Sequence, residues 1–190
     1  MLKNSKRLKI LLDILTYVII SLIVLLLFFK INFKEVVVSG PSMSPYLQNL
    51  EYGYTDRYLF KLFGLDRYDI VVVKTKDDSL FIKRVIGLPG ETIQIIDGKV
   101  YINDRILEDD IYSSELIKDP GLAKEKITLG KNEYFVMGDN RNNSLDSRSS
   151  YLGVVKYNEI YGHSFISRAF CDDTVCKTIY DYHNYEVKGW

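Results

Sequence analysis

Histidine and cysteine are nearly absent from this chain. The only histidines, His163 and His183, sit in no ligand-like cluster, so a metal centre, which needs several convergent ligands, is not expected. No other cofactor is implied. The same scarcity leaves a serine or cysteine nucleophile without its usual base in any recognisable motif. The two cysteines, Cys171 and Cys176 in CDDTVC, make no CxxC pair and no ligand cluster. A local disulfide between them is feasible outside the cytoplasm, and the sequence leaves open whether the geometry permits it. A surplus of charge is missing too. The 25 basic and 25 acidic residues cancel and no basic stripe stands out, which argues against nucleic acid as a partner. Tandem repeats and low-complexity linkers are likewise lacking.

What the chain does have is one long apolar run. Residues 10–29 read ILLDILTYVIISLIVLLLFF, with Asp13 as their single charge. About 20 apolar residues cross the hydrocarbon layer as a helix. Lys3, Lys6, Arg7 and Lys9 precede the run, and positive flanks stay in the cytoplasm. The reading is a basic cytoplasmic N-terminus over 1–9 and a single transmembrane anchor over 10–30, with the rest outside. A cleaved secretory signal is the alternative. No small-x-small site ends the run, however, and the nearest candidate, Val38-Ser39-Gly40, abuts Ser42. Residues 1–30 hold five basic residues and one acidic, leaving 20 and 24 in the remainder, a net charge of −4. The 15 tyrosines and nine phenylalanines suit core packing and, for some, the membrane interface.

Beyond the anchor the pattern is strands and turns. Strand-like segments are Phe33–Val38, Tyr68–Lys74, Ser79–Ile86, Ile93–Ile96, Lys99–Ile102, Arg105–Leu107, Glu133–Met137 and Tyr151–Tyr157, with Tyr161–Phe170 as strand or short helix. Asp97-Gly98 between two of them is a strong hairpin signal. Residues 108–128 read as charged and irregular. Only Tyr54–Phe63 reads as helical outside the membrane, with apolar or aromatic residues at 54, 58, 59, 62 and 63; it would either dip into the membrane or pack on the sheet. The expected body is a mainly antiparallel β domain formed by 31–90 and 130–170. Residues 91–129 would be an inserted hairpin subdomain and 171–190 a C-terminal tail.

Three segments could carry chemistry. Ser42, in SGPSMSPYL, follows a Gly40-Pro41 bend at the end of an apolar strand. Such a bend can expose a hydroxyl and aim backbone N–H groups at an oxyanion. The alternative is a plain turn with local serine hydrogen bonds. Met43 would lie buried behind Ser42 or line the substrate face. Lys83 lies within the apolar SLFIKRVI segment and, by strand alternation, points with Phe81 and Val85. A buried amine loses its proton more readily and can serve as a base. Otherwise it is a strand lysine whose amine reaches water. The third segment, GDNRNNSLDSR at 138–148, is either an exposed loop or a buried network in which arginine forks pair with carboxylates.

Four blocks in order resemble the bacterial type I signal peptidases, membrane-bound Ser/Lys endopeptidases of protein export, in their Gram-positive-like form. These are Gly40–Leu47, Arg67–Val72, Lys83–Glu91, and Gly138–Arg141 continued through Ser144, Asp146 and Arg148. Each block is short and weak alone; the ordered set is specific. The resemblance implies a signal-peptidase-like β fold, Ser42 as nucleophile and Lys83 as general base. It further implies that Ser144 orients the lysine, that Asp146 and Arg148 form a structural ion pair, and that Asp139 and Arg84 join the framework. The Ser42 N–H would be one oxyanion donor. Gly40 stands where some relatives carry a donor serine, so a backbone group of the Gly40 region or water would supply the second. Tyr46 replaces a usual threonine, Tyr68 a frequent glycine, and residues 50–56 lack a common Gly-Asp pair.

The implied reaction removes signal sequences after small residues at −1 and −3. The peptide would lie extended along Val38, Gly40, Met43, Phe81 and Ile82. Expected partners are membrane-tethered preproteins, the lipid bilayer and the secretion channel, at the cell membrane of a bacterium. The alternative on the same scaffold is a non-catalytic or narrowly dedicated pilus assembly factor. A cytoplasmic self-cleaving regulator of the wider Ser/Lys class is opposed by the anchor.

Overall fold

A computed structural model describes residues 2–108, 110–113 and 115–170. The expected tail 171–190, with His183 and the Cys171–Cys176 pair, lies outside the described residues. The chain divides into two units, residues 1–34 and 35–190.

The first unit is a helix, α1 (Leu2–Asn32), that contains no glycine or proline to interrupt it. Its few polar side chains are absorbed locally: Thr16 Oγ1 donates to the Leu12 carbonyl and Asn32 Nδ2 to the Phe28 carbonyl, both at 2.8 Å. The Lys6–Asn32 stretch of 27 residues is long and apolar enough to cross a membrane. At 1.5 Å per residue it measures roughly 40 Å, against a hydrocarbon core of about 30 Å. Its apolar side chains are exposed along its length, the state that lipid would cover.

Strands then dominate. They are β1 (Phe33–Val37), β2 (Glu51–Asp56), β3 (Ile70–Lys74), β4 (Leu80–Gly87), β5 (Thr92–Ile96), β6 (Lys99–Ile102), β7 (Arg105–Ile106), β8 (Ile127–Thr128), β9 (Glu133–Met137), β10 (Val155–Lys156) and β11 (Ile160–Phe170). They build a seven-stranded sheet in the order β1-β2-β11-β3-β4-β9-β10 and a four-stranded sheet in the order β7-β6-β5-β8. The pairings β2–β11, β11–β3, β3–β4, β4–β9, β9–β10 and those of the smaller sheet are antiparallel, as expected for the fold class.

Strand β4 lies inside the larger sheet and all eight of its residues are buried. Its neighbours define two faces. Val71, Val73 and Val85 pack with Val136 and Ile160 on one, while Ile70, Val72, Leu80 and Ile82 pack with Val38, Met43 and Leu47 on the other. A third cluster joins Ile86, Phe135 and Met137 to Ile93, Ile95, Val100 and Ile102 of the smaller sheet. Each such side chain contributes about 1.5–3 kcal/mol when fully buried.

The β5–β6 hairpin turns at Asp97 (φ 49°) and Gly98 (φ 75°). Positive φ at both central residues is what a two-residue hairpin of this hand requires. The helix expected over Tyr54–Phe63 is confined to its last four residues, and its first three belong to a strand. Residues Glu51–Asp56 form β2, paired with β11, and only Phe60–Phe63 are helical (α2). The Asp56 carboxylate stops the strand by accepting N–H bonds from Tyr58, Leu59 and Phe60. Within α2 only Phe60 is buried, so the apparent helical spacing has no face to bury. The strand expected over Tyr151–Tyr157 is likewise confined to Val155–Lys156.

Candidate active site

Gly40 (φ 91°) turns the chain out of β1, a conformation that suits a residue without Cβ. Its N–H donates to Asn49 Oδ1 at 2.8 Å, fixing the entry of the loop. Within the loop, Ser44 N–H bonds the Pro41 carbonyl (3.0 Å) and Leu47 N–H the Met43 carbonyl (2.8 Å). Met43, 1% exposed, anchors the loop in the cluster of Val38, Leu47 and Ile82. Ser42 is held from across the fold as well: its carbonyl accepts the Asn140 N–H at 3.0 Å, and Asn140 Nδ2 reaches the Pro41 carbonyl at 3.2 Å.

The register of β3 against β4 puts Lys83 opposite Val71 in the middle of the sheet, with no solvent exposure. Its Nζ lies 2.9 Å from Ser42 Oγ, 3.0 Å from the Ile82 carbonyl and 5.3 Å from the Phe81 ring centroid. Burial lowers the amine's pKa from 10.5 to about 8; the negative charges of Asp146 and Asp139 oppose that fall, and the positive charge of Arg148 adds to it. An ammonium in this position donates to Ser42 Oγ. A neutral amine instead offers its lone pair to the hydroxyl proton, the geometry of a nucleophile beside its base.

The loop after β9 closes the site. A Cβ on Gly138 would collide with the Ser42 carbonyl oxygen and the Ser144 side chain, so glycine is needed for this close approach. The buried Asp146 carboxylate accepts Gly138 N–H (3.0 Å), Arg148 Nε (2.9 Å) and Arg148 Nη2 (2.8 Å). Asp139 accepts Nε and Nη2 of Arg84, both at 2.7 Å, and Arg84 Nη1 donates to the Tyr68 carbonyl at 2.7 Å. Burial pushes the Asp139 carboxyl above its ordinary pKa, against the opposing Arg84 bonds and charge. Arg84 also stacks on Tyr112 at 3.6 Å and on Tyr46 at 4.5 Å.

Ser42, Lys83, Asp146, Arg148, Asp139 and Arg84 thus converge. Ser144 lies beside them, but its Oγ is buried without a hydrogen-bond partner, and Lys83 Nζ bonds Ser42 and Ile82. Of the residues expected along the substrate, Val38, Met43, Phe81 and Ile82 are buried in the core and Gly40 is partly exposed. His163 is engaged elsewhere, with Nε2 3.5 Å from Asp69 Oδ1, a contact that raises its pKa. Sequence reasoning did not foresee the clamps Asn49 and Asn140, the Tyr46–Tyr112 stack on Arg84, or the pairing of Arg141 with Asp110 (Nη2–Oδ1 2.9 Å). Asp110 and Tyr112 lie in the irregular 108–128 stretch, far in sequence from their partners, and no local pattern marks them.

The model of the family described as "Signal peptidase, peptidase S26" matches residues 11–168. Signal peptidase I S of Bacillus subtilis (strain 168) is 34% identical over 169 residues, covering 85% of this chain and 91% of the relative. Signal peptidase I U of the same organism is 34% identical over 172 residues, covering 85% and 88%. A solved structure of a signal peptidase I from Enterococcus faecalis V583 shares 32% identity and covers 52% of this chain and 95% of its own, with a TM-score of 0.40. With the family match running from within α1 through most of β11, the chain belongs to the signal peptidase family, peptidase S26.

Proposed function

We infer that the protein is a signal peptidase I, a membrane-anchored serine endopeptidase that removes N-terminal signal sequences from exported preproteins. Its curated relatives carry that name over nearly their whole length. The observation that carries the chemical assignment is the 2.9 Å approach of a fully buried lysine amine to the Ser42 hydroxyl.

In the proposed reaction neutral Lys83 takes the Ser42 proton as Oγ attacks the carbonyl carbon at the end of the signal sequence. The tetrahedral intermediate collapses, the peptide C–N bond breaks, and Lys83 returns the proton to the departing amine. The ester left on Ser42 is then hydrolysed by a water that Lys83 deprotonates. The Ser42 N–H, which has no intramolecular acceptor among the described residues, is the available oxyanion donor. The Gly40 N–H is committed to Asn49, so a second donor from that region requires the Asn49 bond to open. Ser144, whose Oγ is buried and unpartnered, is the residue we assign to orient the amine when it turns from Ser42.

Positive residues in the first turns of α1, ahead of its apolar run, favour a cytoplasmic N-terminus and an extracytoplasmic Ser42. Nine residues separate Asn32 from Ser42, ten Cα steps that span at most about 36 Å when fully extended. Such a leash suits substrates whose own signal helix lies in the same bilayer, with the secretion channel as a neighbour.

The test is incubation of the detergent-solubilised protein with a preprotein bearing an Ala-x-Ala site, and mass analysis of the new N-terminus. Cleavage after the second alanine by wild type and none by Ser42→Ala is expected. Equal cleavage by both would overturn the assignment. Ser144→Ala should lower kcat, by less than the roughly 10²–10⁴-fold that a general base contributes; an unchanged kcat would reduce Ser144 to a packing residue.

A further inference from the structure

Beside the nucleophile loop is a cavity of about 320 Å³ lined by Pro45, Tyr46, Gln48, Glu51, Ile111 and Tyr112. Pro45 and Tyr46 follow Ser42 by three and four residues. At the start of β2, Glu51 is only 5% exposed, and its Oε2 is buried without any hydrogen-bond partner. Every other buried carboxylate among the described residues is answered: Asp139 by Arg84, Asp146 by Arg148, and Asp56 by three backbone N–H groups. An ionised carboxylate withdrawn from water without a partner is costly, and a cation placed against it recovers that cost. The walls match such a cation. Tyr46 and Tyr112, which already stack on the Arg84 guanidinium, also line the cavity and stand edge to face with centroids 5.6 Å apart, and Ile111 is an apolar rim, 81% exposed. Aromatic rings attract cations, and an apolar rim covers the methylene stem of a long basic side chain.

We propose that this cavity is a specificity subsite that binds a lysine or arginine side chain of the preprotein, close to the scissile bond, through the Glu51 carboxylate and the Tyr46 and Tyr112 rings. The proposal rests on the signal peptidase reading and adds to it a preference lying outside the small residues at −1 and −3. The basic residue could come from the signal side or the mature side of the bond, and a position scan separates the two.

The experiment uses the full-length protein in detergent and a substrate set in which lysine replaces norleucine at one position at a time on both sides of the cleavage site. The readout is the ratio of kcat/KM for each lysine–norleucine pair, in wild type and Glu51→Gln. One position should favour lysine about five- to tenfold, mainly through KM, the size of one partly desolvated cation contact. That ratio should fall to near one in Glu51→Gln. A flat scan in wild type, or a lysine preference that survives Glu51→Gln, would overturn the proposal.

A second arm does not depend on cleavage. N-acetyl-lysine methylamide, but not its norleucine counterpart, should shift the resonances of labelled Tyr46 and Tyr112 in wild type and not in Glu51→Gln; no lysine-specific shift would equally refute the subsite. If wild type cuts no preprotein, the enzymatic reading fails while this arm still decides the pocket. Should Glu51→Gln not fold, Tyr46→Leu provides the comparison, with a loss of at least half of the lysine preference expected and full retention contradicting the role of the rings.

Discussion

At Lys83 the folded chain holds an amine near pKa 8 whose ordinary value is 10.5, because burial withholds the water that would solvate its charge. The sign of the stability effect follows. Below about pH 8 the amine is protonated in both states, and the folded state carries the whole burden of the shift, on the order of 3 kcal/mol. That burden shrinks as pH rises from about 8 towards 10.5 and is absent above. Lys83→Met should therefore be inactive yet more stable than wild type at pH 7, with Tm higher by several degrees, and the gap should close near pH 10.5. Thermal unfolding of both proteins at the two pH values checks this; a lower Tm for Lys83→Met at pH 7 would refute it. The amine's place on an apolar strand face was legible from the sequence, since Leu80-Phe81-Ile82 and Val85-Ile86 surround it. The 2.9 Å contact with Ser42 was not, because it depends on how the loop after β1 lies against β4, a contact across 41 residues.

Between elements, the tie that positions the site is Arg84 of β4 with Asp139 just after β9, both almost fully buried. Removing the carboxylate strands a guanidinium in the core, so Asp139→Ala should lose about 3–5 kcal/mol in a denaturant titration. A loss below about 1 kcal/mol, the range of surface pairs, would mean that the Tyr46 and Tyr112 stack and the Tyr68 carbonyl suffice to hold Arg84. Two turns carry backbone strain at residues other than glycine. Leu50 and Tyr68 adopt φ 68° and φ 75°, a region that side chains with a Cβ disfavour by about 1–2 kcal/mol. Leu50 is exposed, so Leu50→Gly should raise Tm by a degree or two once glycine's extra freedom in the unfolded chain is subtracted; a fall in Tm would show that the Leu50 side chain contributes packing. The Asp97-Gly98 hairpin was readable because its turn chemistry is local. Strand β2 was not, because the aromatic spacing that follows it imitates a helix and its identity comes from pairing with β11, more than 100 residues away in sequence.

Across the molecule, one apolar helix and two antiparallel sheets divide the labour of anchoring and chemistry. The helix was plain in the sequence because a run of that length and purity needs no distant partner to define it. The sheet order was not, since β11 inserts between β2 and β3 and no local signal records which strand a long-range partner will choose. Activation of Ser42 by a buried neutral lysine makes preprotein cleavage depend on the lysine's protonation state. For the full-length protein in detergent, kcat/KM should rise through an apparent pKa near 8 and level off above it, as Lys83 loses its proton. Lys83→Arg, which keeps its charge at every working pH, should be inactive throughout. A profile flat from about pH 6 to 10, or substantial cleavage by Lys83→Arg, would show that Lys83 is not the base that activates Ser42.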